Sequence, residues 1–124
     1  MNFRQEFLKK YDRDLESILP NGDDEQNKVE RFVRRQIETL ETYCQSMNIS
    51  FSYDNLSQIK KDVFDAIVID QMAWVLSTDN YSLISGLDIA TGVTIPLEEL
   101  EKRYVSPTAQ MKLKAKGFCF RGFY

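Results

Sequence analysis

The sequence has 124 residues, of which 43% are hydrophobic and 28% charged, so it can build one domain with a real core but not two. Five glycines and three prolines argue against a turn-rich sandwich or barrel. The chain has no histidine, the commonest general base, and its two cysteines, Cys44 and Cys119, are too far apart in sequence to suggest a zinc site or a disulfide scaffold. We therefore expect no enzyme activity, no metal and no cofactor.

The charge is divided unevenly along the chain. Residues 1–104 carry nineteen acids and twelve bases, a net −7, whereas residues 105–124 carry four bases and no acid, a net +4. The overall charge of −3 predicts no strong attraction to nucleic acid. Two interpretations of the division remain open: the two ends meet different partners, or the basic end folds onto the acidic body of its own chain or of a neighbour.

Two amphipathic helices are predicted in the first part of the chain. Apolar residues recur at helical spacing from Asn2 to Leu19, and Pro20-Asn21-Gly22 ends this first helix. Asp23 or Asp24 then caps a longer helix that reaches about Met47.

A third helix is predicted from a cap at Asp54 to about Leu76. Residues 63–76 are apolar on nearly every face, which indicates a helix that is central in its domain or shared with a neighbouring subunit. Asp65 and Asp70 lie five residues apart, so they do not converge as a catalytic pair, and we expect both on the wetter side of the helix.

The segment from about 81 to 96 differs from the rest of the chain. Leu87 and Ile89, then Val93 and Ile95, alternate with polar or small residues across a Thr-Gly turn, which predicts two short extended pieces. An isolated hairpin is only marginally stable in water, so we expect this arm to pack against the helices or against another subunit.

The last part of the chain is predicted to be helical. Leu97 to Tyr104 forms a short helical turn after Pro96, and Ser106 with Pro107 reads as a cap and first residue of a helix that Gly117 stops. The predicted fold is mainly α: a single domain, residues 1–124, built as a small bundle of about four helices with a short extended or β-hairpin arm between the third helix and the C-terminal helix.

Two further partner classes can be weighed from the sequence. The lysines at 112, 114 and 116 spread over roughly 200° of a helix and form no single stripe, although the aromatic residues that follow them could stack on single strands. The N-terminus lacks the apolar run of a signal peptide, and no stretch approaches the roughly 20 apolar residues that span a bilayer. We expect a protein made and kept in a cytosol, or in a particle assembled there, with no membrane partner.

The order of these features resembles the small head–tail connector (adaptor) proteins of tailed bacteriophages. In that family a helical bundle precedes an extended arm, and the chain closes with a Ser-Pro-x-Ala helix, a glycine and an Arg-Gly pair. The matching residues here are Met72-Ala73-Trp74-Val75-Leu76, the arm, Val105-Ser106-Pro107-Thr108-Ala109, Gly117-Phe118 and Arg121-Gly122. The resemblance covers about Asp54 to Tyr124.

This resemblance implies a structural protein of the virion neck. Its expected partners are the portal protein, a tail-side neck or tail-completion protein, and further copies of itself in a ring, typically of twelve, through which double-stranded DNA passes without specific binding. The segment from about 105 to 124 is expected to dock on the portal, and the arm to contact the next subunit. The portal-facing residues would be Val105, Pro107, Met111, Leu113, Lys114, Phe118, Phe120, Arg121, Phe123 and Tyr124, and the arm residues Leu87, Ile89, Val93 and Ile95.

Two alternatives to a connector subunit remain at this point. The chain could be a small helical regulatory or interaction protein that dimerises through its long second helix. It could also be a weak nucleic-acid-binding helper that uses its basic, aromatic C-terminal residues.

Overall fold

The computed structural model describes residues 1–20, 27–78 and 95–119. They form six helices: α1 (Phe3–Tyr11), α2 (Leu15–Ile18), α3 (Lys28–Gln45), α4 (Gln58–Ser77), α5 (Leu97–Glu99) and α6 (Pro107–Ala115). A 3₁₀ turn, Tyr53–Asn55, precedes α4, and a π-helical turn, Leu100–Tyr104, continues α5. These ranges contain no β-strand, and the prediction of a mainly α bundle is confirmed.

Most of the predicted arm lies outside the described residues, including Leu87, Ile89 and Val93. Nothing in the fold therefore supports a hairpin there. Ile95 is described, and it is partly buried against the core of its own chain. This side chain therefore contributes to the monomer, which differs from the subunit-facing role expected for it.

The first predicted helix is two helices. Asp12 adopts a left-handed backbone conformation, with φ of 55°, which ends α1, and the side chain of Asp14 caps the start of α2. Aspartate tolerates left-handed angles better than most residues and is a preferred helix cap, so this local chemistry overrides the apolar periodicity. The Arg4 guanidinium donates to both carboxylate oxygens of Asp14, at 2.7 and 3.0 Å, and so ties the two short helices together.

Helix α3 is amphipathic, as predicted, but its buried face includes polar residues. Phe32, Leu40 and Tyr43 point into the core together with Gln36, whereas Val29 and Ile37 lie on the flank and are only partly buried. The helix begins at Lys28, and the proposed caps Asp23 and Asp24 lie outside the described residues.

Helix α4 is the centre of the bundle. Ser57, and not the predicted Asp54, caps it by accepting a hydrogen bond from the Lys60 amide, because Asp54 belongs to the preceding 3₁₀ turn. The helix packs against α1, α3 and most extensively α6. Of the two predicted explanations for its apolar surface, a central position in its own domain is the one observed.

Helix α6 completes this core. Ser106 accepts a hydrogen bond from the Ala109 amide, Pro107 is the first helical residue, and Gly117 ends the helix with φ of 84°, all as predicted. Ala109 and Leu113 are fully buried, on the face of the helix that packs on α4. Full burial of a leucine side chain contributes roughly 1.5–3 kcal/mol and that of an alanine methyl group less, so α6 is an integral part of the fold.

An aromatic cluster holds Phe118, shortly after α6. The ring of Phe118 meets the edge of Phe64 at 5.3 Å and that of Phe51 at 6.1 Å, measured between ring centroids. Phe118 is thereby held against α4 and the loop that precedes it.

Candidate interaction surfaces

A buried carboxylate joins three helices at one side of the bundle. Asp70 of α4 is 9% exposed and accepts hydrogen bonds from the Lys10 and Lys112 ammonium groups, both at 2.6 Å, and from the Tyr11 hydroxyl at 2.8 Å. We call these four residues the Asp70 cluster. It connects α1, α4 and α6 by charge-assisted hydrogen bonds, which are stronger than neutral ones.

The two lysines stabilise the charged form of Asp70. Desolvation is the largest single influence and raises the pKa of Asp70, but the hydrogen bonds from Lys10, Lys112 and Tyr11 together outweigh it, so the pKa lies below its ordinary value. Burial, together with the hydrogen bond to this carboxylate, raises the pKa of Tyr11 to about 12. Asp70 is therefore ionised at neutral pH and acts as an acceptor, not as a general acid.

A second acidic residue of α4 is also buried. The Tyr53 hydroxyl donates to Asp65 at 2.6 Å, and burial raises the pKa of Asp65. The expectation that Asp65 and Asp70 lie on the wetter side of the helix is therefore wrong, since each is buried against polar partners from another element. The two carboxyl groups have different partners and do not share a site.

Gln71 holds the start of α6 in place. Its side-chain amide donates to the Tyr104 carbonyl at 2.6 Å and to the Gln36 side-chain oxygen at 3.2 Å, and its oxygen accepts from the Ser106 amide at 2.8 Å. The Gln36 side-chain nitrogen is buried and has no hydrogen-bond partner in the described part of the chain. These contacts satisfy backbone groups at the junction of the π-helical turn and α6, where no helical partner exists.

Three residues predicted to contact the portal are buried in the core. Val105 and Leu113 are fully buried, and Phe118 is nearly so. The prediction failed because an apolar stripe on α6 looks the same in sequence whether it faces another protein or α4 of its own chain. In this fold these side chains attach α6 to the bundle and are not available to a partner.

Other predicted portal-facing residues are accessible. Pro107 is exposed, Met111 is 66% exposed, and Lys114 is partly exposed and lies 3.9 Å from the Glu101 carboxylate. The exposed residues of α6 and Lys116, which caps its C-terminal end, form one face, which we call the ridge: Pro107, Thr108, Met111, Lys112, Ala115 and Lys116. The remaining predicted residues, Phe120, Arg121, Phe123 and Tyr124, lie outside the described residues.

The ridge has an apolar line bordered by lysines. Pro107, Met111 and Ala115 follow one another at four-residue steps, so they lie in a row along the helix, and Lys112 and Lys116 form the adjacent row. The face lies opposite Ala109 and Leu113, which are buried. The ridge is thus a convex, basic surface with an exposed methionine at its middle.

A groove of about 870 Å³ lies between the N-terminal part of α1 and α3. We call it the α1–α3 groove. Its apolar lining consists of Met1, Phe3, Val29, Val33, Ile37 and Tyr53, and its polar lining of Asn2, Arg4, Glu16, Glu30, Arg34, Glu38, Glu41 and Asp54. The periodicity of α3 predicted its apolar stripe but not that part of the stripe lines a groove, because the groove is formed by elements distant in sequence.

The groove is acidic. Five carboxyl groups line it, against two guanidinium groups and the amino group of Met1. Arg4 is paired with Asp14, which is not part of the lining, and Arg34 lies four residues from both Glu30 and Glu38 on α3. A partner that fits the groove would therefore be apolar along its middle and positively charged at its sides.

A smaller basic pocket, about 480 Å³, lies beside the Asp70 cluster. Lys10, Arg13, Trp74 and Lys112 contribute to its lining. Since two of these cations already bind Asp70, the charge that the pocket can offer to an anion is small.

The two cysteines, distant in sequence, meet in the core. The sulfur atoms of Cys44 and Cys119 are 3.2 Å apart, both residues are buried, and both are free thiols. The hydrogen bond to Cys119, together with burial, raises the pKa of Cys44. The same hydrogen bond lowers the pKa of Cys119. Because both residues are buried, neither thiol is placed as an accessible nucleophile.

The described ranges hold no group of three or more histidine, cysteine, aspartate or glutamate residues that could bind a metal ion. Within the same ranges no helix is both long enough and apolar enough to cross a bilayer. No protein-family model matches the sequence, and neither curated proteins nor solved structures yield a match.

Proposed function

We propose that this chain is a non-catalytic subunit of a head–tail connector in a tailed phage, docked beneath the portal and extending the channel for double-stranded DNA. The observation that carries the proposal is the resemblance of residues 54–124 to that family in the order of their features. The helix implied by its Ser-Pro motif is present, with the expected cap and the expected glycine stop. The virion neck would be its location, and a tail-side protein its second partner.

Two surfaces of opposite charge suit a subunit that assembles with neighbours. The acidic α1–α3 groove and the basic ridge lie on different helices, and each combines apolar with charged residues. A ring subunit contacts its neighbours through two different surfaces, because the contacts in a closed ring are heterologous. The acidic groove also agrees with an acidic body that DNA would pass without binding.

The charge distribution gives less support to a nucleic-acid-binding helper. Lys112 binds Asp70, and Lys114 lies near Glu101, so part of the basic end folds onto the acidic body of its own chain. Phosphate affinity depends on the number of free cations, and this pairing lowers it.

The portal contact is best assigned to residues beyond Cys119. Of the predicted set, Val105, Leu113 and Phe118 are needed for the core, and Pro107, Met111 and Lys114 are accessible on α6. We assign the portal contact to the other four, Phe120, Arg121, Phe123 and Tyr124. Removing everything after Tyr104 would not isolate the contact, because that truncation would also remove α6 from the core.

Electron microscopy of the portal protein from the same genome, mixed with this chain, tests the proposal. We expect an added tier on the portal ring, and we expect the triple variant Phe120→Ser, Phe123→Ser and Tyr124→Ser to fold but add no tier. The matched control is Ile49→Asp, since Ile49 is 94% exposed and lies outside both surfaces. Absence of a tier with the unaltered chain at saturating concentration would overturn the connector function.

A further inference from the structure

We infer that the ridge of one copy of this chain binds in the α1–α3 groove of the next copy. That this contact builds the ring of a head–tail connector rests on the proposed function. The inference names the two surfaces that meet between neighbouring subunits, and its argument depends on their shape, polarity and charge.

The two surfaces match in length. The floor of the groove runs along α3 from Val29 to Ile37, which are eight positions apart, or about 12 Å at 1.5 Å per residue. The ridge runs from Pro107 to Lys116, which are nine positions apart, or about 13 Å. A convex helix face of this length fits a concave surface formed by two helices, as in helix-in-groove recognition.

The two surfaces also match in polarity. The middle row of the ridge, centred on Met111, is apolar and faces solvent in the single chain. Methionine adapts its shape to an irregular surface, and the floor of the groove offers Phe3, Val29 and Ile37 as partly buried apolar contacts. Contact would remove apolar surface on both sides from water.

Charge complementarity favours a second copy as the occupant. Lys116 and the half-exposed Lys112, which also binds Asp70, form a row beside the apolar residues of the ridge. The groove carries Glu30 and Glu38 along α3. Asp54 and Glu41, which accepts a hydrogen bond from the Tyr53 amide, add to the negative charge, whereas Glu16 is paired with Lys28 at 4.0 Å. The chain itself thus supplies an occupant that is apolar along its middle and positively charged at its side, as the groove requires.

A contact between two different surfaces leaves each copy with one free groove and one free ridge. Such heterologous contacts continue from copy to copy until they close into a ring. The charges are displayed at the surface, so association should weaken as salt rises.

Mixing two complementary variants tests this contact without any portal protein. Met111→Asp places an acid on the ridge and leaves the groove intact, whereas the double change Glu30→Lys and Glu38→Lys reverses charge in the groove and leaves the ridge intact. Each alone should weaken self-association at least tenfold, which corresponds to about 1.4 kcal/mol. An equimolar mixture should restore binding, because an intact ridge then meets an intact groove.

Nuclear magnetic resonance of the ¹⁵N-labelled Met111→Asp protein identifies the surface. Adding the unlabelled groove variant should shift amide signals of α3 and the start of α1, and raising the salt from about 0.05 M to 0.5 M should reduce the shifts. Unlabelled Met111→Asp should cause no shift, and unlabelled Ile49→Asp should act like the unaltered chain.

The outcomes separate this contact from the connector function. No shift up to about 1 mM, or shifts confined to residues outside the groove, would overturn the ridge–groove contact. Portal tiers without the contact would mean that neighbouring subunits meet elsewhere. If the ridge–groove contact is seen but no tier is added to the portal, the self-association stands and the connector function is wrong.

Discussion

Replacing Asp70 with asparagine tests the cluster that joins α1, α4 and α6. The substitution keeps the size and shape of the side chain and removes its negative charge. Asparagine keeps one uncharged acceptor oxygen and has an NH2 group in place of the other. Lys10 and Lys112, each 2.6 Å from a different carboxylate oxygen, therefore lose their ionic partner, and the Tyr11 hydroxyl loses its charged partner at 2.8 Å.

The expected loss of stability follows from the exposure of the partners. A hydrogen bond to a charged group contributes about 1.5–3 kcal/mol, and breaking a fully buried ion pair on one side costs about 3–5 kcal/mol. Both lysine side chains are about half exposed and can regain water, which reduces the loss. We expect Asp70→Asn to lower the free energy of unfolding by about 2–3 kcal/mol, and the melting temperature by about 10 °C.

Urea unfolding followed by circular dichroism measures this loss. The midpoint should fall while the slope with denaturant stays unchanged, since the surface exposed on unfolding is the same. The matched control is Asp62→Asn on the same helix, where the carboxylate is exposed and accepts a hydrogen bond from Gln58. That control should stay within about 0.5 kcal/mol of the unaltered chain.

The pH dependence gives a second, independent measurement. The pKa of Asp70 is lowered in the folded chain, so its stabilising contribution is complete above the ordinary carboxyl pKa of about 4 and is lost as the pH falls through the folded value. The difference between the unaltered chain and Asp70→Asn should therefore be constant near neutral pH and disappear in acid. Equal stability of Asp70→Asn and Asp62→Asn at pH 7 would refute the reasoning, as would a difference that grows in acid.

Three further predictions concern the last helix and the two buried thiols. Leu113→Ala should lower the free energy of unfolding by about 2–5 kcal/mol, whereas Met111→Ala on the exposed face of the same helix should change it by less than about 0.5 kcal/mol, both measured by urea unfolding. Gly117→Ala should lower the free energy of unfolding by about 1–2 kcal/mol in the same assay. The new methyl group meets no atom within 4 Å, so the loss arises from the left-handed backbone alone. An unchanged midpoint would contradict that geometry. The thiols of Cys44 and Cys119 should react with a soluble disulfide reagent only after unfolding, and reaction of both in the native chain would contradict their burial.

Local signals predicted several elements correctly. The cap at Ser106, the proline after it and the stop at Gly117 act within one or two turns, so the sequence alone located α6. The continuous apolar surface of α4 likewise predicted a central or shared helix, and the fold places it at the centre.

Long-range partners could not be predicted in the same way. Asp70 binds lysines that are 60 and 42 residues away, and nothing near it in sequence identifies them. The burial of Leu113 and the existence of the α1–α3 groove depend equally on which elements pack together. The break at Asp12 had a local signal, but apolar periodicity alone concealed it.

The attachment of α6 to α4 also constrains the order of folding. The bond from Lys112 to Asp70 spans 42 residues, and the contact between Cys44 and Cys119 spans 75. The chain loses the entropy of closing these long loops before it gains the energy of packing. Contacts between such distant residues therefore slow folding. During synthesis, the apolar face of α4 that receives Leu113 stays uncovered until α6 has left the ribosome, and in that interval the nascent chain would be a substrate for chaperones.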